Sequence, residues 1–552
     1  MLGALAGCGR SQAPPPPVSA PPARVAPAVP QEPLPLWMSR EALTESLLES
    51  LRKRVMGRRE ALRDVARIAT EIGPIVADAA RQPQAEAGLR RMALESGMTF
   101  AEARAQWIAL QEADLLLESG GDPDAVSPSQ AVGVAQWLAG TANANGLPVN
   151  LKESRRLSAK IVPLKWKIAW CAYLTGLNAD PAAPGAPLIS PAEAAAQLPA
   201  LRSELEMLRA KRRRADARYD PRKAIFAQTR YLLRLYPRFP SPDWLFQAYH
   251  GGEAGVQRTL RKYLGNAWPG SSAAAIRFGR HGQPLRYEDL YFSTTPRARR
   301  DAFAYLYGRS DDHRYYWWKL RASQEVIALY RRDPAAFQRQ WEAFFPGRSK
   351  EAVWYPDAPA ESLADLAALQ AACASRRLVP VGPRAEYAIR PAPLAPQAAQ
   401  WYAALRPEAA GALRLVTAAY RQAGGDGRLQ VGDMALTQEY VAQAKALHPP
   451  PPPKGLIWPP DPDAQTLPGG GPPADFDYHT TGLAFDLLRP ADSRQRKILE
   501  YALGALQDRQ IVLWVDAKDR GERRYHVVPN PRYAQALAKV AVTGQAPRLP
   551  GL

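Results

Sequence analysis

The sequence predicts a multidomain chain that is mainly α-helical over most of its length and α+β at its C-terminal end. Three observations carry this. At 552 residues the chain is long for a single core and fits two or three domains of about 100 to 200 residues each. From Arg40 to about Gln111, and again in TTPRARRDAFAYLYG and the run beginning DDHRYYWWKL, apolar residues recur at helical spacing among Ala, Leu, Arg and Glu. Near the end, RLQVGDMAL and IVLWVD read as strands, with a helical run from Ser493 to Leu506 before the second.

Taken in order, residues 1–35 open with Leu5-Ala6-Gly7-Cys8, which matches the lipobox at which bacterial lipoproteins are cleaved and acylated. The seven residues before Cys8 are too few for the basic and apolar regions of a signal, so the true start is expected upstream. Gln12 to Pro35 is a Pro/Ala tether with little capacity to pack. Residues 36–110 read as helices leading into a domain at 111–270, which carries a helical insertion from Pro187 to Arg218. A helical extension follows at 271–348, bounded by Pro296 and Asp333-Pro334. Its Tyr316, Trp317 and Trp318 form an aromatic cluster that is read as core in preference to a sugar-stacking platform. Prolines and turn formers mark 349–395 as a linker, and 396–540 as the α+β end, interrupted by a proline- and glycine-rich arm from His448 to Gly471.

Chemistry concentrates first around Glu118. A helix-like run, ADLLLES, ends at this carboxylate before Gly120 and Gly121; a small-residue loop follows, then a second helix expected to carry Gln136. Downstream, AYHGGEAGV from Ala248 to Val256 is preceded by the helical run Tyr219 to Tyr236. Glu118, Ser119, Ala125, Val126, Ser127, Pro128, Ala131, Gly133 and Gln136, with the Tyr249 block in the right order, resemble the soluble lytic transglycosylase family over about 113–264. Gln130 stands where that family has Gly, and His250 where it has Asn.

The resemblance implies a lysozyme-like helical domain with Glu118 as sole acid and base. In that mechanism one Glu protonates the leaving oxygen and then takes the proton of the muramic acid's own 6-hydroxyl, closing a 1,6-anhydro ring without water, whereas most glycosidases use two carboxylates. Ser119 and Ser127 are candidates to orient the carboxyl, Trp137 to line the cleft, and Gln136, Tyr249 and His250 to bind the N-acetyl sugars. Asp114 stands one helical turn before Glu118, within reach of it. The rival enzyme is a goose-type lysozyme that activates water through Asp122 or Asp124; the rival from another class is a cell-wall binding or scaffold protein.

A second constellation lies in DYHTTGLAFDLLRP. His479, Gly482, Ala484 and Asp486 resemble the core motif of zinc D,D-carboxypeptidases and related peptidoglycan amidopeptidases, with His526 as the implied third ligand of a Zn2+ ion. Two imidazoles and a carboxylate leave one tetrahedral position for water. His479 and Asp486 are an odd number of residues apart, so they share a face only if a turn or bulge intervenes at Gly482. Where this family has its catalytic Glu the chain has Arg523, so Glu522 is the candidate base, and it reaches the site only if the strand is bulged by one residue. Asp477 stands in place of a Ser that precedes the first ligand.

The formal net charge of +19 points to a polyanionic partner, and KRRRADAR from Lys211 to Arg218 is its densest run. No zinc-finger spacing, RNA-recognition consensus or Walker loop accompanies it, so no nucleic acid is expected, and the charge fits an anionic cell wall or a solvated face better. The combined expectation is a periplasm-facing outer-membrane lipoprotein, anchored to the membrane through Cys8 and acting on peptidoglycan. Cys171 and Cys373 remain, paired or free.

Overall fold

The computed structural model describes residues 31–550 apart from 59, 177–189, 280–281, 310, 345–353, 356, 391, 393, 448–475 and 520–521. Cys8 and the arm from His448 to Gly471 lie outside the described residues. The chain is mainly helical, with a small sheet confined to its C-terminal part.

The helical body runs α1 (Arg40–Met56), α2 (Ala61–Arg67), α3 (Gly73–Ala80), α4 (Pro83–Ser96), α5 (Phe100–Ser119), α6 (Ala139–Ala144), α7 (Leu151–Gly176) and α8 (Pro191–Ala215). It continues with α9 (Pro221–Leu235), α10 (Pro242–Gly251), α11 (Glu253–Leu264), α12 (Ser272–Phe278), α13 (Tyr287–Ser293), α14 (Arg300–Leu306), α15 (Asp311–Arg332) and α16 (Pro334–Phe344). Among the described residues no helix is long and apolar enough to cross a membrane.

α5 is the axis of the first site. A capping box at Thr99 and Glu102 satisfies its first free N–H groups, and Gly120, at φ +62°, ends it. Its middle is buried on all sides, with Trp107, Leu110, Ala113, Leu115 and Leu116 packed among Trp137, Trp244, Phe246 and residues of α15. Each such large side chain contributes about 1.5–3 kcal/mol by leaving water, so the last turn of α5, which carries Glu118, is rigidly placed. The inserted α7 and α8 form a hairpin with an apolar core of their own, Leu157, Ile161, Leu164, Leu201, Leu205 and Leu208.

The helix expected to carry Gln136 does not form there. Residues 133–136 are a turn with Gln136 at φ +48°, and α6 begins only at Ala139. Gly133 explains the path: its φ is +78° and an added Cβ would lie 2.0 Å from the carbonyl oxygen of Arg218, a position closed to every other residue. Gln130 takes the left-handed φ of +66° that Gly adopts without strain, so the turn carries a local cost of about 1 kcal/mol.

The C-terminal sheet has the order β2-β4-β5-β7-β6, formed by Tyr387–Ile389 (β2), Leu429–Val431 (β4), Phe485–Leu488 (β5), Val512–Asp519 (β6) and Glu522–Pro529 (β7). β2 and β4 are parallel and the other pairs antiparallel; β1 (Val379–Pro380) pairs separately with β3 (Ala404–Leu405). The stretch read as a linker at 349–395 therefore supplies two strands and the helix Leu366–Ala374. Strands of two or three residues flanked by prolines are too short for a period of two to be read from sequence. Helices Pro407–Gln422, Ser493–Asp508 and Ala534–Thr543 share one core with Leu429, Val431, Phe485, Leu487, Tyr525 and Val527. Because side chains alternate along a strand, Asp486, Arg524 and His526 lie on the opposite face of the sheet.

The two parts touch. Tyr291 donates to Asp508 at 3.1 Å, Gln510 donates to Glu49 at 2.8 Å, and Phe303 meets Tyr501 edge-on at 5.5 Å. Leu34, from the segment read as tether, and Leu36, which follows it, pack on the C-terminal core.

Candidate functional sites

Glu118 sits in the last turn of α5 with its side chain 14 % exposed. Its Oε1 lies 2.9 Å from the Tyr316 hydroxyl and 3.0 Å from His250 Nδ1. The two partners stack face to face, with ring centres 3.9 Å apart and planes at 10°. The Tyr316 hydroxyl also reaches Asp114 Oδ1 at 2.5 Å, and Gln228 donates to Asp114 Oδ2 at 2.7 Å. Asp114 is completely buried; burial first, and then the charge of Glu118, push its carboxyl well above the usual carboxylate range, against the hydrogen bonds from Tyr316 and Gln228.

The serines expected to orient Glu118 have other partners. Ser119 Oγ donates to the Val134 carbonyl at 2.7 Å and accepts from Gly121 N–H, while Ser127 Oγ accepts from Ala131 N–H at 2.9 Å. Gln136 Nε2 donates to the Gly133 carbonyl at 2.9 Å, and Tyr249 donates to the Ala135 carbonyl at 2.6 Å. These four fix the 120–137 loop beside Glu118, satisfying backbone groups of a loop with little regular structure. Trp137, read as lining the cleft, is core: it is 2 % exposed and its indole N–H donates to the Ala224 carbonyl at 3.2 Å.

Of the two acids of the water-activating rival, Asp124 is committed to ion pairs with Arg209 and Arg212 of α8 and lies 3.6 Å from Lys165 of α7. Burial raises its pKa, but these cations outweigh it and hold the carboxyl below its ordinary value. Asp122 Oδ1 accepts from Asp124 N–H at 2.9 Å in a local turn. The basic run Lys211 to Arg218 is partly consumed in the same way: Arg212 also lies over the Tyr219 ring, and Arg218 pairs with buried Asp216 at 2.7 Å.

On the sheet face away from the core, Asp486 and His526 are direct partners across β5 and β7. His479 arrives on the 3-10 turn Tyr478–Thr481, and Gly482, at φ +74°, turns the chain so that His479 and Asp486 meet, as their odd spacing requires. Asp486 Oδ1 is 3.1 Å from both His479 Nε2 and His526 Nδ1, and the two nitrogens are 3.2 Å apart. Ligand atoms of a tetrahedral zinc, about 2.0–2.1 Å from the metal, stand roughly 3.3 Å from one another, so the triangle fits. The outer contacts fit as well: His479 Nδ1 is 2.9 Å from the Met434 carbonyl, which directs Nε2 to the site, and Asp486 Oδ2 is 3.4 Å from Arg524. Burial opposes charge on His479, yet Asp486, Asp477 and Asp433 overcome it and raise its pKa to about 10; Asp486 is held well below the carboxylate range.

Glu522 does not join this triangle. β6 and β7 pair without interruption from Val512 opposite Pro529 to Asp519 opposite Glu522, so the bulge that would bring it in is missing. It lies four residue steps along the strand from His526, about 13 Å, and its carboxylate pairs with Arg390 at 2.5 Å and Arg524 at 3.5 Å. Cys171 and Cys373 are free thiols.

Two site residues were not linked to the acid by the sequence: Tyr316, read as core in preference to a sugar-stacking platform, and Gln228. A signal was present for the second: Gln228 and Thr229 sit on the apolar face of α9, where a polar residue needs a partner. Comparison with known proteins returns nothing to set beside this geometry: no family model, no curated protein and no solved structure matches the chain.

Proposed function

We propose that the protein is a peptidoglycan lytic transglycosylase that cleaves the bond between N-acetylmuramic acid and N-acetylglucosamine with Glu118 as its single acid and base. The observation that carries this reading is that Glu118 is the partly exposed end of a cluster whose other direct partners are a phenol and an imidazole, while Asp124 is committed to ion pairs with Arg209 and Arg212. One carboxyl suffices if the substrate's own 6-hydroxyl replaces water, and that chemistry is the one the sequence resemblance implies. Glu118 would first protonate the glycosidic oxygen and then, as carboxylate, take the proton of the attacking hydroxyl. The 120–137 loop, with Gln136 and Tyr249 half-buried along it, would form one wall for the sugars. Glu118→Gln tests this: loss of glycan cleavage with the melting temperature and sacculus binding kept is expected, and retained cleavage would discard the role.

The C-terminal triangle supports a second part of the reading, a zinc ion held by His479, Asp486 and His526. When bound, such an ion would acidify a water molecule and polarise a carbonyl. The chain's own residues do the holding: Met434 orients His479, and Arg524 braces Asp486. With Glu522 turned to Arg390, this unit is better suited to gripping stem peptide than to cutting it. Metal analysis of the full chain is expected to give one zinc, lost in His479→Ala; no metal in either would remove the site. Anchoring through Cys8 at the outer membrane completes the proposal, and palmitate labelling that persists in Cys8→Ala would refute that address.

A further inference from the structure

The contacts around Asp114 form a chain whose direction is set at one end. The Trp107 indole can only donate, and it donates to Gln111 Oε1 at 3.1 Å, as does Thr229 at 3.0 Å. That fixes the Gln111 amide, whose Nε2 donates to Gln228 Oε1 at 2.9 Å; Gln228 Nε2 is then left to donate to Asp114 Oδ2. Asp114 Oδ1 and Glu118 Oε1 both face the one hydroxyl of Tyr316, at 2.5 and 2.9 Å. A phenol has one hydrogen. Were both carboxyls ionised, one of those two contacts would set lone pair against lone pair in a buried site. A second proton must therefore reside among the three groups. Of the two carboxyls, Asp114 is the one without any exposure, whereas Glu118 has a further partner in His250.

We propose that Asp114 is a protonated carboxylic acid at neutral pH and serves as a positioning residue, donating to Tyr316 so that Tyr316 donates to Oε1 of Glu118, which leaves Oε2 as the oxygen that exchanges a proton with substrate. The inference rests on the reading of Glu118 as acid and base. No proton is consumed: the chain keeps its two hydrogens through the cycle, and the bond from Tyr316 strengthens when Glu118 becomes a carboxylate. Burial holds both Asp114 and the Tyr316 hydroxyl well above their ordinary pKa values, in keeping with two groups that retain their hydrogens. The titratable groups around them are Glu118 on α5, Tyr231 on α9, Tyr249 and His250 on α10, and His313 on α15, whose ring lies 4.9 Å from that of His250.

Two measurements on the full chain test this. Infrared spectra at neutral pH should contain a protonated-carboxyl stretch that is present in Glu118→Gln and lost in Glu118→Gln/Asp114→Asn; no loss would overturn the proposal. In cleavage assays Asp114→Ala should lower kcat by about 100-fold with little change in KM. Asp114→Asn, whose amide can still donate to Tyr316, should recover about 10-fold of that and move the alkaline limb of the pH profile upward. An Asn variant as inactive as Ala, or with an unmoved profile, would contradict it. If the parent chain cleaves no glycan, the proposed function falls, and the infrared result alone decides the state of Asp114.

Discussion

The two sites are assembled in opposite ways. The His479, Asp486 and His526 triangle, which could hold a metal, is local: two of its residues face each other across adjacent strands, and the third arrives on the turn just before one of them. The Glu118 cluster is distributed, with side chains from α5, α9, α10 and α15 meeting over as many as 202 residues of sequence. Strand pairing places ligands by register, which a period of two makes visible; helix packing brings together side chains whose spacing in the chain carries no such signal. The local site should therefore tolerate change in the helical body, and the distributed one should fail when any of its packing partners moves.

The sharpest way to break that contrast is chemical deletion at each site. Glu118→Gln should lower cleavage by about 10²–10⁴-fold without changing zinc content, while His479→Ala should remove zinc and leave glycan cleavage within about twofold, measured by metal analysis and muropeptide release on the same preparations. Coupled losses would mean that the sites are one unit. Next in size is Gly133→Ala, which drives a Cβ into the Arg218 carbonyl at a left-handed φ. It should cost about 2–4 kcal/mol in denaturant unfolding and reduce cleavage through the 120–137 loop; an unchanged midpoint would show that the loop is not anchored there.

Much of the frame was legible beforehand. The helical body, the helix of the Pro187 to Arg218 insertion, the run from Ser493 and the turn at Gly482 all follow from periodicity, caps and the odd spacing of His479 and Asp486; α7, the other arm of the hairpin, had no such reading. What the sequence concealed was partnership. Tyr316 sits in a cluster of four aromatics where only packing decides which hydroxyl turns to the acid, and Ser119 and Ser127 are small polar residues that bond to whichever backbone groups the loop leaves open. Glu522 is a candidate base only if the strand end is bulged, a condition that sequence does not decide and that the uninterrupted ladder does not meet. The strands at 379–380 and 387–389 were hidden by their shortness.

The contact between the two parts offers a test of intermediate size. Burial raises Asp508 to about 6, in spite of Arg314, Arg509 and Arg54 and the bond from Tyr291. Its folded pKa lies above the unfolded value, so its contribution is fully present below about pH 4 and is lost as pH rises through 6, by about 3 kcal/mol at most. Asp508→Asn should therefore lack that decline when melting temperatures are compared at pH 4.5 and 8; parallel pH curves would show that the interface does not hold the acid. Smallest is Gln130→Gly, expected to stabilise by about 0.5–1 kcal/mol by relieving a left-handed residue. A destabilised Gly variant would mean that the glutamine side chain supports the loop.

The central claim, that one carboxyl does the work of two, is tested most directly by mass spectrometry of muropeptides released from sacculi by the full chain. The account predicts products ending in 1,6-anhydro-muramic acid, each one water lighter than the hydrolysis product, and their disappearance in Glu118→Gln. Products with free reducing ends would contradict it and show that water, and a base other than Glu118, takes part.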